Sequence, residues 1–314
     1  FGQGSKSLGT IVAISSYASY FWQPIMNLGN IFNNFINNIA YLERIFETMD
    51  EPVTVKDAEN AVKMPEIRGE VTFDHVNFSY DESKQILKDV SFTVKPGESV
   101  ALVGPTGAGK STIVNLISRF YNVNGGRVLI DGQDISQVTI HSLREQMGIM
   151  MQDSFIFSGD IEDNIRYGKL DATLEEIVNA SKTVCADEFI SKMPDGYQTE
   201  VRERGSMLSQ GQKQLISFAR TLLSDPAILI LDEATSSIDV QTEKALQTGL
   251  NAMLKGRTSF IIAHRLSTIR NCDKIMYIDN GGIMESGTHD ELMAKKGYYY
   301  KLYTAQLDEV QKAG

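Results

Sequence analysis

The chain has 314 residues, of which 42% are hydrophobic and 22% charged, a composition typical of a folded protein with one large domain or two modest ones. Its formal net charge is −10. Because duplex-binding proteins normally present a basic face, we expect no nucleic-acid partner. Cys185 and Cys272 have neither metal-ligand spacing nor a disulfide framework, so we interpret them as small thiols in a reducing compartment.

The N-terminal segment has no charged residue between Lys6 and Glu43. As a helix it would be on the order of 50 Å long, more than the ~30 Å of bilayer hydrocarbon. Residues 8–26 are apolar with small and aromatic residues, whereas the second half alternates apolar residues at helical spacing with asparagines. We expect a transmembrane helix with a cytoplasmic extension over residues 1–50, kinked at Pro24. A signal peptide and a buried soluble helix are the alternatives.

The chain begins at Phe1 within this pattern, so we interpret it as the C-terminal fragment of a longer membrane protein. Residues 51–68 are charged, irregular and broken by prolines, which indicates a linker. From residue 69 to residue 314 the pattern predicts an α/β domain. Between about residues 154 and 224 we expect helices and no strands. The predicted strands lie at 71–78, 86–94, 99–103, 127–130, 148–151, 227–231, 258–262, 274–278 and 282–285.

Residues 104–112 read Gly-Pro-Thr-Gly-Ala-Gly-Lys-Ser-Thr and match the phosphate-loop pattern G-x-x-x-x-G-K-[ST]. A strand precedes the loop and a helix follows it, as this motif requires. Backbone N–H groups and the helix N-terminus would bind phosphates, with Lys110 on the β- and γ-phosphates and Ser111 on Mg²⁺. The predicted ATP contacts here are Gly104, Pro105, Thr106, Gly107, Ala108, Gly109, Lys110, Ser111 and Thr112.

Two adjacent carboxylates, Asp232 and Glu233, end the apolar stretch that starts at Ile228. A buried strand that delivers two carboxylates suits one on Mg²⁺ and one on the attacking water. The alternative is an acidic pair that caps a helix after a core strand.

Residues 208–212 read Leu-Ser-Gln-Gly-Gln and stand about twenty residues before this strand. With these motifs, essentially the whole chain resembles the ATP-binding cassette (ABC) family, and specifically exporters with a membrane domain fused ahead of the cassette. The resemblance implies a P-loop ATPase core with an antiparallel β-subdomain and a helical insertion, preceded by one long transmembrane helix. It also implies ATP and Mg²⁺ as cofactors, and ATP hydrolysis coupled to transport.

The resemblance also implies roles for further residues. Tyr80 would stack on adenine, Gln152 would link Mg²⁺ and the nucleophilic water to the membrane domain, and His264 would act on the γ-phosphate. Taken alone, Tyr80 could be a surface aromatic and His264 a core histidine. Asp239 resembles the dimer-contact loop, and residues 203–205 resemble the segment that touches the coupling helices. The implied catalytic set is Glu233, His264, Gln152 and Lys110, and the implied metal set is Ser111, Gln152 and Asp232.

Residues 208–212 look like the family signature, usually Leu-Ser-Gly-Gly-Gln, which faces ATP bound to the partner cassette. The implied contacts are Ser209, Gly211 and Gln212. Glutamine at position 210 adds bulk and restricts φ where glycine permits close approach. We therefore favour a heterodimer in which this chain supplies the competent catalytic residues and the opposite ATP site turns over slowly. The alternative is a homodimer in which Gln210 is harmless variation.

The remaining expected partners are the lipid bilayer and a small amphipathic substrate of the multidrug or lipid-like type. When full length, the protein is expected to be a multi-pass, bacterial cell-membrane protein with its cassette on the cytoplasmic side. Two other functions stay open: an importer with the exporter-like fold, and a soluble ABC ATPase that acts on ribosomes or DNA.

Overall fold

The computed structural model describes residues 3–81, 84–150, 155–232, 240–263 and 266–313. The chain divides into two compact units, residues 1–54 and 55–314.

The first unit consists of one helix, α1 (Gln3–Met49), which is 47 residues long and continues past Pro24. At 1.5 Å per residue its length is about 70 Å. Its described side chains, from Ser7 to Met49, are exposed. The predicted helix is therefore confirmed. The predicted span is not supported, because no helix within the described ranges is both long and apolar enough to cross a membrane. Serines at 15, 16 and 19 and asparagines at 27, 30, 34, 37 and 38 dilute the apolar residues along α1.

The second unit contains twelve strands among the described residues. They are β1 (Val71–Ser79), β2 (Gln85–Val94), β3 (Ser99–Val103), β4 (Gly125–Ile130), β5 (Gln133–Asp134), β6 (Met147–Met150), β7 (Gly159–Asp160), β8 (Glu200–Val201), β9 (Ile228–Asp232), β10 (Thr258–Ile262), β11 (Lys274–Asp279) and β12 (Gly282–Gly287). Its α-helices are α2 (Lys110–Ile117), α3 (Ile140–Arg144), α4 (Ile161–Arg166), α5 (Leu174–Thr183), α6 (Asp187–Ile190), α7 (Gln210–Leu223), α8 (Val240–Leu254), α9 (Leu266–Asn271), α10 (His289–Lys295) and α11 (Tyr298–Ala313).

A six-stranded sheet in the order β12-β11-β3-β10-β9-β6 forms the centre of this unit, and all its strands except the edge strand β12 run parallel. Side chains of a strand point alternately to the two faces. In β3, Ala101 and Val103 join one hydrophobic core and Val100 and Leu102 join the other. Both faces of the sheet are therefore buried, which explains the nearly continuous apolar strands in the sequence.

The predicted antiparallel β-subdomain is a four-stranded sheet in the order β2-β1-β4-β5. Its inward residues, such as Val71, Phe73 and Val76, alternate with more exposed ones and join the core that also contains Val100 and Leu102. Phe73 stacks on Phe92 of β2 with ring centroids 4.5 Å apart. The alternation read in residues 71–78 thus marks a sheet with one buried face.

Helices α4 to α7 form the predicted helical region, and the buried side chains Ile165, Ile177 and Phe218 pack into the core on the opposite face of the central sheet. The expectation that residues 154–224 contain no strand was wrong, because β7 and β8 pair there antiparallel, with Gly159 beside Val201. Each has two residues, which is too short for any alternation to appear in the sequence.

Residues 55–68, within the predicted linker, contain no helix or strand but pack against the rest of the second unit. Val62 forms an isolated bridge with Val138, and Met64 and Ile67 are buried in the core. The side chain of Asp131 then accepts backbone hydrogen bonds from residues 68, 69 and 70, which fixes the start of β1. The entry of the chain into this unit is therefore held by specific contacts.

Helix α8 packs closely on the C-terminal end of α5, and Gly249 permits the contact. A Cβ atom at Gly249 would lie 2.6 Å from the carbonyl oxygen of Val184. Although alanine is the better helix former by ~1 kcal/mol, we expect Gly249→Ala to lower the free energy of unfolding by about 1–3 kcal/mol because of this overlap. Denaturant titration measures the change. Gly282→Ala is the matched control, since its Cβ would meet no atom within 4 Å. Equal stability of the two variants would show that this contact is absent.

Candidate nucleotide-binding site

The parallel strands of the central sheet end at one edge. Ile262 of β10 lies beside Leu102 of β3 and Asp232 of β9, and Leu231 lies beside Met150 of β6. Because carboxyl ends of parallel strands meet at the same edge, the chain leaves these strands within one neighbourhood, and ligands of open α/β sheets bind outside this edge. The predicted phosphate loop follows β3 directly.

Several predicted residues lie outside the described part of the chain: Gln152, Glu233, Asp239 and His264. Three of them follow strands of this edge in sequence. Gln152 comes after β6, Glu233 comes directly after β9 and His264 comes after β10. Their roles stay predictions.

The phosphate loop has a backbone that depends on glycine. Gly104 has φ 142°, and a Cβ there would lie 2.1 Å from the carbonyl oxygen of Ile278 in β11. Gly109, the N-cap of α2, has φ 106°, and its Cβ would lie 2.9 Å from a methyl group of Leu87. Residues with a side chain rarely adopt such φ values, so any residue other than glycine would be strained at both positions. Residues 105–107 between them are exposed and accessible to a ligand.

Lys110 begins α2 and is buried, with its ammonium group inside the loop. Its Nζ donates hydrogen bonds to the carbonyl oxygens of Gly104 and Pro105, each at 2.8 Å. Burial lowers the pKa of Lys110 from its ordinary value, and the negative charge of Asp232 opposes that shift. The ammonium group thus contacts the loop, and the charge of the carboxylate that ends β9 acts on it. A cation in this position can neutralise phosphate charge.

The oxygen donors of this neighbourhood fit Mg²⁺. Ser111, next to Lys110, is exposed, and Asp232 is partly buried at the strand end. Mg²⁺ in nucleotide sites is bound by one or two protein oxygens and by substrate phosphates. The described residues contain no group of three or more His, Cys, Asp or Glu side chains that could hold a metal ion. Ser111 and Asp232 would therefore act together with the phosphates of a nucleotide.

Tyr80 lies next to the phosphate-loop helix. Its hydroxyl is 3.1 Å from Oγ1 of Thr112, and its side chain is about half exposed. Phe78 and Tyr121 both meet its ring edge-on, with centroids 4.9 Å away. This geometry fixes an exposed aromatic ring close to the loop, where a purine base could stack.

The signature residues occupy the start of α7. Ser209 is its N-cap, its Oγ accepts a hydrogen bond from the backbone N–H of Gln212, and the Gln212 side chain accepts one from the backbone N–H of Ser209. Gln210 is the first residue of the helix and is exposed. A right-handed helical backbone is open to every residue, so our expectation of restricted φ at Gln210 does not apply. Only the bulk and chemistry of its side chain remain to distinguish it from glycine.

Residues 203–205 form a single turn of 3₁₀ helix in which Arg204 has a left-handed backbone, with φ 54°. Gly205 is buried, and a Cβ there would lie 3.1 Å from the side chain of Ile156. The turn thus packs closely on the chain that leads into α4. Its role in coupling stays a prediction.

Two residues beside the site were missed from the sequence. Tyr121 supports the ring of Tyr80, and Arg119 lies buried directly after the phosphate-loop helix. Each is an isolated residue that belongs to no motif and to no periodic pattern. The available signal was the run Arg-Phe-Tyr at the end of the helix that follows the loop, where large side chains must meet the sheet.

The fold and the site together define a P-loop ATPase of the α/β class with a helical insertion. Residues 87–236 match the ABC transporter family. The chain belongs to the ABC transporter family and carries its ATPase domain, as the resemblance predicted.

Relatives extend the match over nearly the whole chain. The uncharacterised ABC transporter ATP-binding protein YknV of Bacillus subtilis is 53% identical over 300 residues, which cover 96% of this chain and 50% of that protein. A fatty acid ABC transporter ATP-binding/permease protein of Mycobacterium tuberculosis is 45% identical over 302 residues, covering 96% and 48%. The structure of a bacterial Atm1-family ABC exporter with ATP bound aligns with a TM-score of 0.78 and 42% identity, over 95% of this chain and 52% of that one. The chain therefore spans about half the length of these relatives.

The phosphate loop offers a test of its close approach to β11. In Gly104→Ala the new Cβ would overlap the carbonyl oxygen of Ile278, whereas in Gly107→Ala, where φ is 79°, it would meet no atom within 4 Å. We expect Gly107→Ala to show only backbone strain of about 1–2 kcal/mol. We expect Gly104→Ala to weaken Mg-ATP binding at least about tenfold more, which corresponds to about 1.4 kcal/mol. Titration with a fluorescent ATP analogue measures both affinities, and equal losses would contradict the proposed contact.

Proposed function

We propose that this chain is the ATP-hydrolysing subunit of a membrane ABC exporter for an amphipathic, multidrug or lipid-like substrate. The observation that carries the proposal is the gathering of the phosphate loop, Lys110 and Asp232 at the carboxyl edge of the central sheet. The relatives support the exporter part, since one is named as a fatty acid transporter and the aligned structure is that of an ABC exporter.

Nucleotide binding would use three parts of the described site. The exposed ring of Tyr80 would stack on adenine, and the backbone N–H groups of residues 105–112 would bind the phosphates at the N-terminus of α2. Lys110 would exchange its contacts with the loop carbonyls for the β- and γ-phosphates. Ser111, Asp232 and Gln152 would hold Mg²⁺, which neutralises phosphate charge when bound.

Hydrolysis would depend on the residues that follow β9 and β10. Glu233 would orient and polarise a water molecule for in-line attack on the γ-phosphate. His264 and Lys110 would stabilise the negative charge that spreads over the transferred group. Gln152 would join the attacking water to the membrane domain, so that chemistry and movement are linked.

Transport would require a second half-transporter and a bilayer. Two cassettes would close around ATP, and the closure would pass through Gln152 and residues 203–205 to the membrane helices. In this proposal α1 belongs to the membrane domain despite its moderate apolarity, because a helix in a bundle can turn its asparagines towards the bundle interior. Efflux of a fluorescent lipid from proteoliposomes supports the exporter direction, and uptake would indicate an importer with the same fold.

We further propose that the two ATP sites of the dimer differ. This chain has the residue types needed for hydrolysis, while its signature carries Gln210 in place of glycine. Since the helical backbone at position 210 suits glutamine, the effect must come from the exposed side chain at the N-terminus of α7. That side chain would hold the partner's γ-phosphate away from Ser209, and turnover at that site would be slow.

Replacing the proposed base tests the assignment of the competent site. In the full-length protein purified with its partner, Glu233→Gln should lower ATP turnover at least about 10²-fold, because the water loses its polarising group. Glu145→Gln is the control, since Glu145 is exposed and lies outside the site. Phosphate release measures turnover. Activity that survives Glu233→Gln largely intact would refute the assignment.

Restoring glycine tests the asymmetry. In the same complex Gln210→Gly should raise ATP turnover, up to about 10²-fold at the slow site, because it removes the obstructing side chain beside a transition-state donor. Gln210→Ala separates bulk from backbone freedom and should give most of the gain, since φ at this position is already helical. Unchanged turnover in both variants would mean that Gln210 is harmless variation.

A further inference from the structure

A buried arginine holds the chain where it enters the ATPase domain. Arg119 follows the phosphate-loop helix α2 and is only 2% exposed. Its Nη1 donates to the carbonyl oxygen of Val138 at 2.5 Å and its Nη2 to that of Lys56 at 3.0 Å. One guanidinium group thus joins the end of α2 to two segments that are distant in sequence.

The backbone conformation and the burial of Arg119 both lower the stability of the fold. Arg119 has a left-handed backbone, with φ 51°, and its buried Nε has no hydrogen-bond partner within the described residues. Burial lowers the pKa of Arg119, and the charges of Asp57 and Asp134 oppose that shift. Backbone strain and an unpaired buried donor both destabilise the folded state. A residue kept under both conditions is better explained by a positioning role than by stability alone.

The segment that Arg119 holds is the entry segment, residues 56–64, which follows the first unit in the chain. Asp57 accepts a hydrogen bond from the backbone N–H of Ile140 at 2.7 Å, and its carboxylate lies 3.9 Å from Nη1 of Arg119. Val62 bonds through its N–H and its carbonyl to the backbone of residues 137–139. The N–H of Met64 donates to Oγ of Ser142 at 2.8 Å. Arg119 contacts this segment from a position just after the phosphate-loop helix.

The other end of the connection reaches the nucleotide site. Helix α2 begins at Lys110 and ends at Ile117, a length of about 12 Å, and Arg119 follows two residues after its end. Beyond Arg119, Tyr121 meets the ring of Tyr80 edge-on. Arg144 holds the chain between α2 and Tyr121 in place by donating to the carbonyl oxygens of Ser118 and Arg119. Arg119 thus lies in the chain between the phosphate-loop helix and the aromatic residue that supports Tyr80.

We propose that Arg119 is a positioning residue that transmits nucleotide binding from α2 to the entry segment. The inference rests on the proposed function, since it takes Mg-ATP as the ligand of the loop. Bound nucleotide would make the loop and α2 more rigid. The hydrogen bond from Arg119 to the carbonyl oxygen of Lys56 would transmit this restriction of motion, so that the entry segment also becomes more rigid. This route joins the ATP site to the preceding helix through the chain itself.

Hydrogen exchange on the full chain, with and without a non-hydrolysable ATP analogue and Mg²⁺, tests the proposal. In the unmodified chain we expect the analogue to slow exchange at the amides of Val62 and Met64 about threefold or more. In Arg119→Met the analogue should still bind, with its affinity changed by less than about threefold, but this slowing should disappear. Arg127→Met is the matched control, because Arg127 is an exposed arginine that pairs with Asp74 at 2.8 Å across strands β4 and β1.

Two further variants keep the test decisive if Arg119→Met does not fold. Arg119→Lys keeps the charge but cannot donate to both carbonyls as a planar fork, so the slowing should be reduced. Asp57→Asn changes only the half-exposed partner and should weaken the response partly. Nucleotide-dependent slowing that persists in every variant would overturn the inference. Failure of the unmodified chain to bind the analogue would instead refute the proposed function.

Discussion

The structure depends on the close approach of one loop to a neighbouring strand. The central strand β3 is buried on both faces, and the chain turns out of it at Gly104, against the carbonyl oxygen of Ile278. This turn leads into the phosphate loop, where Lys110 donates to the loop carbonyls, and then into α2, after which Arg119 donates to the carbonyl oxygens of Val138 and Lys56. A side chain at position 104 would push the loop away from β11 and move all of these groups together.

The sequence was most informative where burial imposes a pattern. The strands Ser99–Val103 and Thr258–Ile262 were predicted at their observed bounds, because strands buried on both faces read as short apolar runs between polar residues. The phosphate loop was predictable because its glycines, lysine and hydroxyls have fixed spacing. The pair β7–β8 was missed because two residues hold no period. The packing of residues 55–68 was missed because the hydrogen bonds that their backbone makes with the side chains of Arg119 and Asp131 leave no trace in hydropathy.

One expectation was wrong and another stays a prediction, and both drew a physical consequence from residue type alone. The asparagines and serines of α1 were compatible with a helical pattern, but no described helix is both long and apolar enough to cross a membrane, so the span stays a prediction. Glutamine at position 210 was expected to restrict the backbone, yet the first residue of a helix needs no glycine. In both cases the secondary structure was read correctly, and its physical consequence depended on the local environment.

The two helix N-termini that would face phosphates are prepared differently. In α2 the N-cap Gly109 provides no side-chain hydrogen bond, so the first N–H groups of the helix are left for another acceptor. In α7 Ser209 and Gln212 satisfy each other in a capping box, as do Thr173 and Glu176 in α5. A phosphate that approaches α7 must therefore share or replace the bond between the Ser209 hydroxyl and the N–H of Gln212. A phosphate at the N-terminus of α2 would thus displace no side-chain cap, whereas one at the N-terminus of α7 would. A bulky side chain at position 210 would therefore weaken phosphate binding strongly at the signature. Each new contact to phosphate there replaces an existing hydrogen bond, so it stabilises the complex less.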